Sequence, residues 1–230
     1  MERLKSLLKN LGMYDYVRSL AGRLRGCLDR SCFLAALPYE QRRLFVESHD
    51  PVRYGAIALA LKRITKEGIA GSLAEVGVWR GYTSRIIRHL EPERELYLFD
   101  TFEGFPMRDL EEGRTDWRFR DTSVEIVKKT IGRLENVTIV PGYFPESAQG
   151  LEHEMFAFVM LDVDLYNPTL AGLGYFYDRV NSGGYIFIHD YNSPESDWAV
   201  LRATNEFMKD KPEKMIEIPD MGGSVIFRKM

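Results

Sequence analysis

From about residue 50 the chain alternates between two hydrophobic rhythms. Short, nearly continuous apolar runs have strand length and strand composition: SLAEVGV (72–78), ELYLFD (95–100), VTIVPG (137–142), FAFVMLD (156–162) and GGYIFIHD (183–190). Between them lie segments with helical spacing and helix-ending signals. These are RYGAIALALKRITKEG, stopping at Gly68, a stretch from about Thr83 to Leu90 closed by Pro92, SVEIVKKTIGRL, residues 168–180, and DWAVLRATNEFMKD. Unbroken apolar strands alternating with helices predict a parallel sheet covered on both faces. The last two strands, KMIEIP and SVIFRKM, are joined by DMGG, which leaves no room for a helix. They are expected to pair as an antiparallel hairpin. The prediction is an α/β fold with a seven-stranded, mostly parallel sheet, one antiparallel strand, and helices on both faces.

Residues 1–50 follow a different pattern. Leu4, Leu7, Leu8 and Leu11 recur at helical spacing with Arg3, Lys5 and Lys9 between them. This reads as an N-terminal helical extension that lids a site or contacts another copy, so a homo-oligomer is a candidate. A basic helix lying on a membrane surface is the competing reading. Residues 51–230 then form the main domain. The chain has 230 residues, 45% of them hydrophobic, enough for one full core. A net charge of -3 gives no footprint for nucleic acid. No apolar run reaches the roughly 20 residues of a membrane span, and no signal-peptide stretch opens the chain, so the expected location is the cytoplasm. The two cysteines, Cys27 and Cys32, form no CxxC and read as ordinary thiols.

In open α/β sheets ligands bind beyond the carboxyl ends of the strands. Four of the five central strand ends carry a carboxylate: Glu75, Asp100, Asp162 with Asp164, and Asp190. The first end, EVGVWRGYTS, sets Gly77 and Gly81 at GxxxG spacing. That allows a tight turn but does not match the GxGxxG of a dinucleotide loop. Thr83 and Ser84 stand where they can cap a helix or meet a carboxylate at its N-terminus. Asp100, 25 residues after Glu75, is placed to accept hydrogen bonds from ribose hydroxyls.

These residues resemble the class I S-adenosylmethionine-dependent methyltransferases, a Rossmann-like fold. More closely, EVGVWRGYTS, LYLFDTFEGFP, LDVDLYNPT and GGYIFIHDYN, in that order, resemble the macrocin O-methyltransferase family over about residues 50–230. The resemblance implies methyl transfer from S-adenosylmethionine to a sugar hydroxyl, usually with magnesium. It places Glu75, Gly77, Gly81, Tyr82, Thr83 and Ser84 around the cofactor's methionine part. Asp100 would hold the ribose, with Thr101, Phe102 and Gly142 completing the contact set. Asp162 matches the metal ligand and general base. His189 and Asp190 fall where the family has two aspartates, which makes them metal candidates with Asp162 and His189 a candidate catalytic group.

The histidine is a departure, because magnesium prefers hard oxygen ligands. Three readings stay open. His189 is a ligand for a metal such as manganese, or it supports a metal held by Asp162 and Asp190, or it is itself the base without a metal. In the loop 101–121, Arg108, Arg114, Trp117, Arg118 and Arg120 offer guanidinium and aromatic surface that could hold a phosphorylated or nucleotide-linked sugar. The competing function classes are a nicotinamide-dependent oxidoreductase and a non-catalytic cofactor-binding module.

Overall fold

The computed structural model describes residues 50–110 and 115–230. The expectations for residues 1–49, for Cys27 and Cys32, and for Arg114 lie outside them. The order of elements is α1 (Pro51–Lys66), β1 (Ser72–Val76), α2 (Tyr82–Leu90), β2 (Leu96–Asp100), α3 (Val124–Ile131), β3 (Val137–Pro141), β4 (Phe156–Leu161), α4 (Tyr166–Phe176), β5 (Val180–Ile188), α5 (Ala199–Met208), β6 (Ile216–Ile218) and β7 (Ser224–Arg228).

Seven strands form one sheet in the order β3-β2-β1-β4-β5-β7-β6. β1 pairs parallel with both β2 and β4, so the crossover direction reverses there and opens a crevice above its carboxyl end. β7 is antiparallel to both β5 and β6. The closing hairpin is therefore as expected, but the reversed strand lies inside the sheet and β6 takes the edge.

Local chemistry explains where the helices start. Asp50 caps α1, its Oδ1 accepting from Arg53 N at 3.1 Å, and Pro51 follows at the first position, where a missing N–H costs nothing. Ser123 caps α3 by accepting from Ile126 N at 3.3 Å. α2 starts at Gly81 in the left-handed region with no side-chain cap, so its first turn faces the crevice without a capping oxygen of its own.

Two strands end earlier than the apolar runs suggest. β4 stops at Leu161 and β5 at Ile188, because Asp164 (φ 58°) and Asp190 (φ 57°) turn the chain out of the ladder. Asp162, Asp164, His189 and Asp190 thus lie on connections, and the strand rule that residues two apart share a face no longer governs the aspartates. Beneath the crevice, Phe99, Phe144, Phe156 and Phe176 form an aromatic cluster, with Phe144 and Phe176 stacked at 5.3 Å between centroids. It fixes α4 and the segment after β3 against the sheet.

Candidate active site

A cavity of about 340 Å³ opens above the carboxyl ends of β1 to β5. Its wall carries seven carboxylate side chains against Arg53, Arg118 and His189. Gly77 is one of its lining residues, and no other residue type fits there. Its φ is +85°, and a Cβ would sit 1.8 Å from the carbonyl oxygen of Asp162. The glycine turn of β1 therefore presses directly on the segment that carries the candidate base.

Asp100 organises the same turn. Its Oδ2 accepts from the backbone N–H groups of Val78 and Trp79, both at 2.8 Å, and its Oδ1 from Phe102 N at 2.7 Å. These bonds leave one acceptor direction for a ligand such as ribose. Thr101 accepts from Glu103 N and donates to Gly104 O, shaping the following turn. Glu75, Gly77, Tyr82, Thr83, Asp100, Thr101 and Gly142, all named from the sequence, line the cavity together. Gly81, Ser84 and Phe102 are not among its lining residues. Ser84 is fully buried and donates to Glu75, and Gly81 packs 3.2 Å, measured from an ideal Cβ, against Val127.

Glu75 is 1% exposed, and burial pushes its carboxyl up to about 8 against the hydrogen bond from Ser84. In the unfolded chain it ionises near 4.5. Between those values the folded chain holds a proton that the unfolded chain has lost, so stability falls as pH rises. Glu75→Gln is expected to flatten the dependence of the urea midpoint on pH from 5 to 8. An unchanged slope would mean that Glu75 is ionised in the folded protein.

At the other end of the cavity a closed ring of hydrogen bonds fixes the candidate catalytic groups. His189 Nδ1 lies 3.1 Å from Asp162 Oδ1 and 2.9 Å from Asp190 Oδ2. Its Nε2 is 2.8 Å from the Met221 carbonyl oxygen, which can only accept, so Nε2 carries a proton. Met221 N donates to Asp50 Oδ2 at 2.9 Å, and Arg53 N donates to the same carboxylate. Arg53 Nη1 returns to Asp162 Oδ2 at 3.2 Å. Burial opposes charge on His189, but the Asp162 carboxylate and the hydrogen bonds to both aspartates push it up to about 11. A protonated imidazole donates from both ring nitrogens, so with no cation at Nδ1 this arrangement holds His189 as a donor to the two aspartates and not as a proton acceptor. Burial would raise Asp162, yet His189 and Arg53 hold it below the usual carboxylate range.

Arg53 was not visible as a site residue, since it lies 109 positions from Asp162 in an ordinary helical stretch. Among the described residues of the 101–121 loop, the guanidiniums of Arg108, Arg118 and Arg120 are largely committed already. Arg108 makes two 3.1 Å bonds to Glu146, and Arg118 pairs with Asp116 at 2.8 Å. Arg120 lies over the ring of Trp117, 4.1 Å from its centroid. A phosphate would have to displace a carboxylate to engage the first two.

Residues 52–229 match the macrocin-O-methyltransferase (TylF) family. One curated relative, the 8-demethyl-8-(2,3-dimethoxy-alpha-L-rhamnosyl)-tetracenomycin-C 4'-O-methyltransferase of Streptomyces olivaceus, is 28% identical over 156 residues, which cover 60% of each chain. The chain thus spans about 60% of that relative's length. The mycinamicin III 3''-O-methyltransferase of Micromonospora griseorubida is 27% identical over 179 residues, 68% of each chain. Among solved structures, the O-methyltransferase NovP superposes with a TM-score of 0.66 at 23% identity, over 78% of this chain and 80% of that one, and shares the fold. With the match running almost from the start of α1 to the end of β7, the chain belongs to the macrocin O-methyltransferase family.

Proposed function

We propose that this protein transfers the methyl group of S-adenosylmethionine to a hydroxyl of a sugar or glycosylated small molecule, with a divalent cation, Mg2+ or Mn2+, at Asp162, His189 and Asp190. The observation that carries the reading is the ionised Asp162 carboxylate, held by Arg53 and His189 at the wall of an acidic cavity that begins at the glycine turn of β1. The printed names of the two relatives, an O-methyltransferase of a rhamnosyl-tetracenomycin and one of mycinamicin III, support the acceptor class.

The donor set suits a metal. Nδ1 of His189 stands 3.1 and 2.9 Å from the two carboxylate oxygens. Ligands at about 2.1 Å around an octahedral ion are about 3.0 Å apart along an edge. A cation there would take the place of the Nδ1 proton, and the hydrogen bond from Nε2 to the Met221 carbonyl would hold the neutral ring with Nδ1 aimed at that position, the usual support for a ligating histidine. A second grouping, Asp50, His189 and Asp220, is also within reach. Its carboxylates are already engaged, Asp50 by two backbone N–H groups and Asp220 by Ser224. A bound cation would supply Lewis acidity that lowers the pKa of the acceptor hydroxyl and fixes its oxygen.

The chain's own groups do the rest. Asp162 accepts the hydroxyl proton. A carboxylate held at low pKa is a weak base, so it serves only an acidified hydroxyl. The oxygen then bonds to the methyl carbon as the carbon–sulfur bond breaks and its electron pair returns to sulfur. The acidic wall complements a donor that carries a sulfonium charge. Arg53 keeps Asp162 from rotating away between turnovers.

The test is calorimetric titration of chelator-treated protein with S-adenosylhomocysteine, then with magnesium and manganese separately. Micromolar binding of the first compound is expected, and its absence would remove the methyltransferase reading. His189→Asp is expected to move the preference from manganese toward magnesium, because it replaces a borderline nitrogen by a hard oxygen. An unchanged ratio of the two affinities would place His189 outside the ligand set.

A further inference from the structure

Asp50 holds two distant parts of the fold at once, and it is only 3% exposed. Its Oδ1 caps α1 by accepting from Arg53 N at 3.1 Å. A helix cap needs only that one oxygen. Its Oδ2 reaches out of the helix to the turn between β6 and β7, where it accepts from Met221 N at 2.9 Å, 171 positions along the chain.

The backbone of that turn bears on His189. The Met221 side chain is exposed, while its carbonyl oxygen lies 2.8 Å from His189 Nε2. Met221 thus accepts from His189 with its carbonyl and donates to Asp50 with its N–H. Gly222 follows at once. A Cβ there would stand 3.1 Å from His189 Cε1 and 3.3 Å from Nε2, so the turn lies directly on the ring. Asp162 and Asp190 meet the ring at Nδ1. The last side-chain torsion of a histidine is broad and roughly two-fold. Turned over by half a rotation, the ring would place Cδ2 where Nδ1 now stands and Cε1 where Nε2 now stands. The Met221 carbonyl therefore helps to select the orientation that points a nitrogen at the two aspartates.

The turn closes largely on itself. Asp220 accepts from Gly223 N through its carbonyl and from Ser224 N through its side chain, and Asn192 N donates to Gly223 O at 3.3 Å. Among the described residues, the acceptor at Met221 N is the Asp50 carboxylate. The same carboxylate has Arg53 Nε 3.8 Å away, and Arg53 Nη1 meets Asp162 Oδ2 at 3.2 Å. Asp50 stands behind both neighbours of the candidate cation position, Arg53 on the Asp162 side and Met221 on the His189 side.

We propose that Asp50 is a positioning residue whose Oδ2, through the backbone of Met221, fixes the orientation in which His189 Nδ1 faces the cation position. The proposal rests on the cation reading above and deepens it. The role is separable from the helix cap, which uses the other oxygen.

Three variants of the full chain separate the two roles. Asp50→Ser keeps a capping oxygen but has no second one for Met221. Asp50→Ala has neither. Met221→Pro removes the N–H that Oδ2 accepts and leaves the Met221 carbonyl and the Asp50 carboxylate in place. The urea midpoint reports the cap, and is expected to fall further for Asp50→Ala than for Asp50→Ser. Two readouts report the tether. One is the exchange rate of the His189 Nε2 proton in chelator-treated protein, followed by NMR on isotopically labelled histidine and assigned by its absence in His189→Asn. The other is calorimetric affinity for manganese and magnesium. Loss of an outer partner of a ligating histidine costs about 10–100-fold in metal affinity. Asp50→Ser and Met221→Pro are each expected to lose about tenfold in manganese affinity and to exchange the proton at least about tenfold faster. Native values of both readouts in these two variants, or losses that follow the urea midpoint and appear in Asp50→Ala alone, would make Asp50 a cap only and overturn the proposal while leaving the cation reading intact. Failure of the native protein to bind either cation would overturn the cation reading, and this one with it.

Discussion

Asp162→Asn is expected to lower methyl transfer by about 10³-fold while leaving affinity for S-adenosylhomocysteine within about twofold. The asparagine keeps the shape of the side chain but can no longer accept the proton. It also weakens the cation position, since one of two carboxylates beside His189 Nδ1 is gone. Asp162→Ala is a harsher variant. It leaves the Arg53 guanidinium and the His189 imidazolium side by side in a largely buried setting without their shared counter-ion. Breaking such a pair costs about 3–5 kcal/mol, so the alanine protein should show a lowered urea midpoint as well as lost turnover. The asparagine protein separates chemistry from folding. If it retained more than a tenth of native turnover at saturating donor, Asp162 would be neither the base nor a necessary ligand. The low pKa of Asp162 adds a sign. Its stabilising contribution is present above the unfolded value of 3.8 and is lost as pH falls through the folded one. Acid unfolding of the native protein should therefore be displaced to lower pH than that of Asp162→Asn.

Much of this site could be read in the linear chain, for a physical reason. A buried parallel strand has to be apolar on both faces, so the first polar residues after it mark its carboxyl end. Asp100, Asp162, His189 and Asp190 were found that way, Glu75 by its place inside β1 just before the glycine turn, and all five line one cavity. The hydrophobic run locates the end of a strand only approximately. His189 continues the ladder through its N–H to Leu161 O at 2.9 Å, whereas Asp190 turns into the left-handed region. Backbone direction of that kind leaves no trace in hydropathy. The early start of β5, at Val180 instead of Gly183, comes from pairing with Phe156 across a polar Asn-Ser step. α4 begins at Tyr166, two residues before the position read from the sequence.

The groups that tune the site were less visible, because their partners are remote. Arg53 looks like one more charge on a helix until α1 is docked beside the end of β4. Met221 contributes only a carbonyl oxygen, which no side-chain pattern can announce. Gly222 in the same hairpin turn has a recoverable signal. A Cβ there would come within 2.3 Å of Asp190 Oδ1 and 3.1 Å of the His189 ring, so DMGG serves as a roof over the two candidate ligands as well as a turn. Asp109 stands in a loop whose guanidiniums, not its carboxylates, suggest a role. Its bond from the Tyr143 hydroxyl, just past β3, emerges only when the loop is folded.

Gly77→Ala is expected to cost at least about 3 kcal/mol of stability and to weaken binding of S-adenosylhomocysteine in whatever folded protein remains. Two effects add. An alanine at φ +85° is strained by about 1–2 kcal/mol whatever its surroundings. Its methyl group would also lie 1.8 Å from the Asp162 carbonyl oxygen and 2.7 Å from the carbonyl carbon. Backbone cannot swing aside as a side chain can. Asp162 N is bonded to Val76 O at 2.9 Å, which ties the two clashing segments together, and Gly77 N to Phe99 O at 2.9 Å, which ties the turn to β2 on its other side. Relief has to come from parting β1 and β4 at their carboxyl ends, where the cavity begins. Gly81→Ala is the matched control. Its φ of +79° imposes similar strain, but its neighbour is a Val127 methyl group 3.2 Å away that can yield. The urea midpoint should therefore fall much further for Gly77→Ala than for Gly81→Ala. Equal losses would mean that backbone strain alone accounts for both glycines, and that the turn of β1 does not press on the segment carrying Asp162.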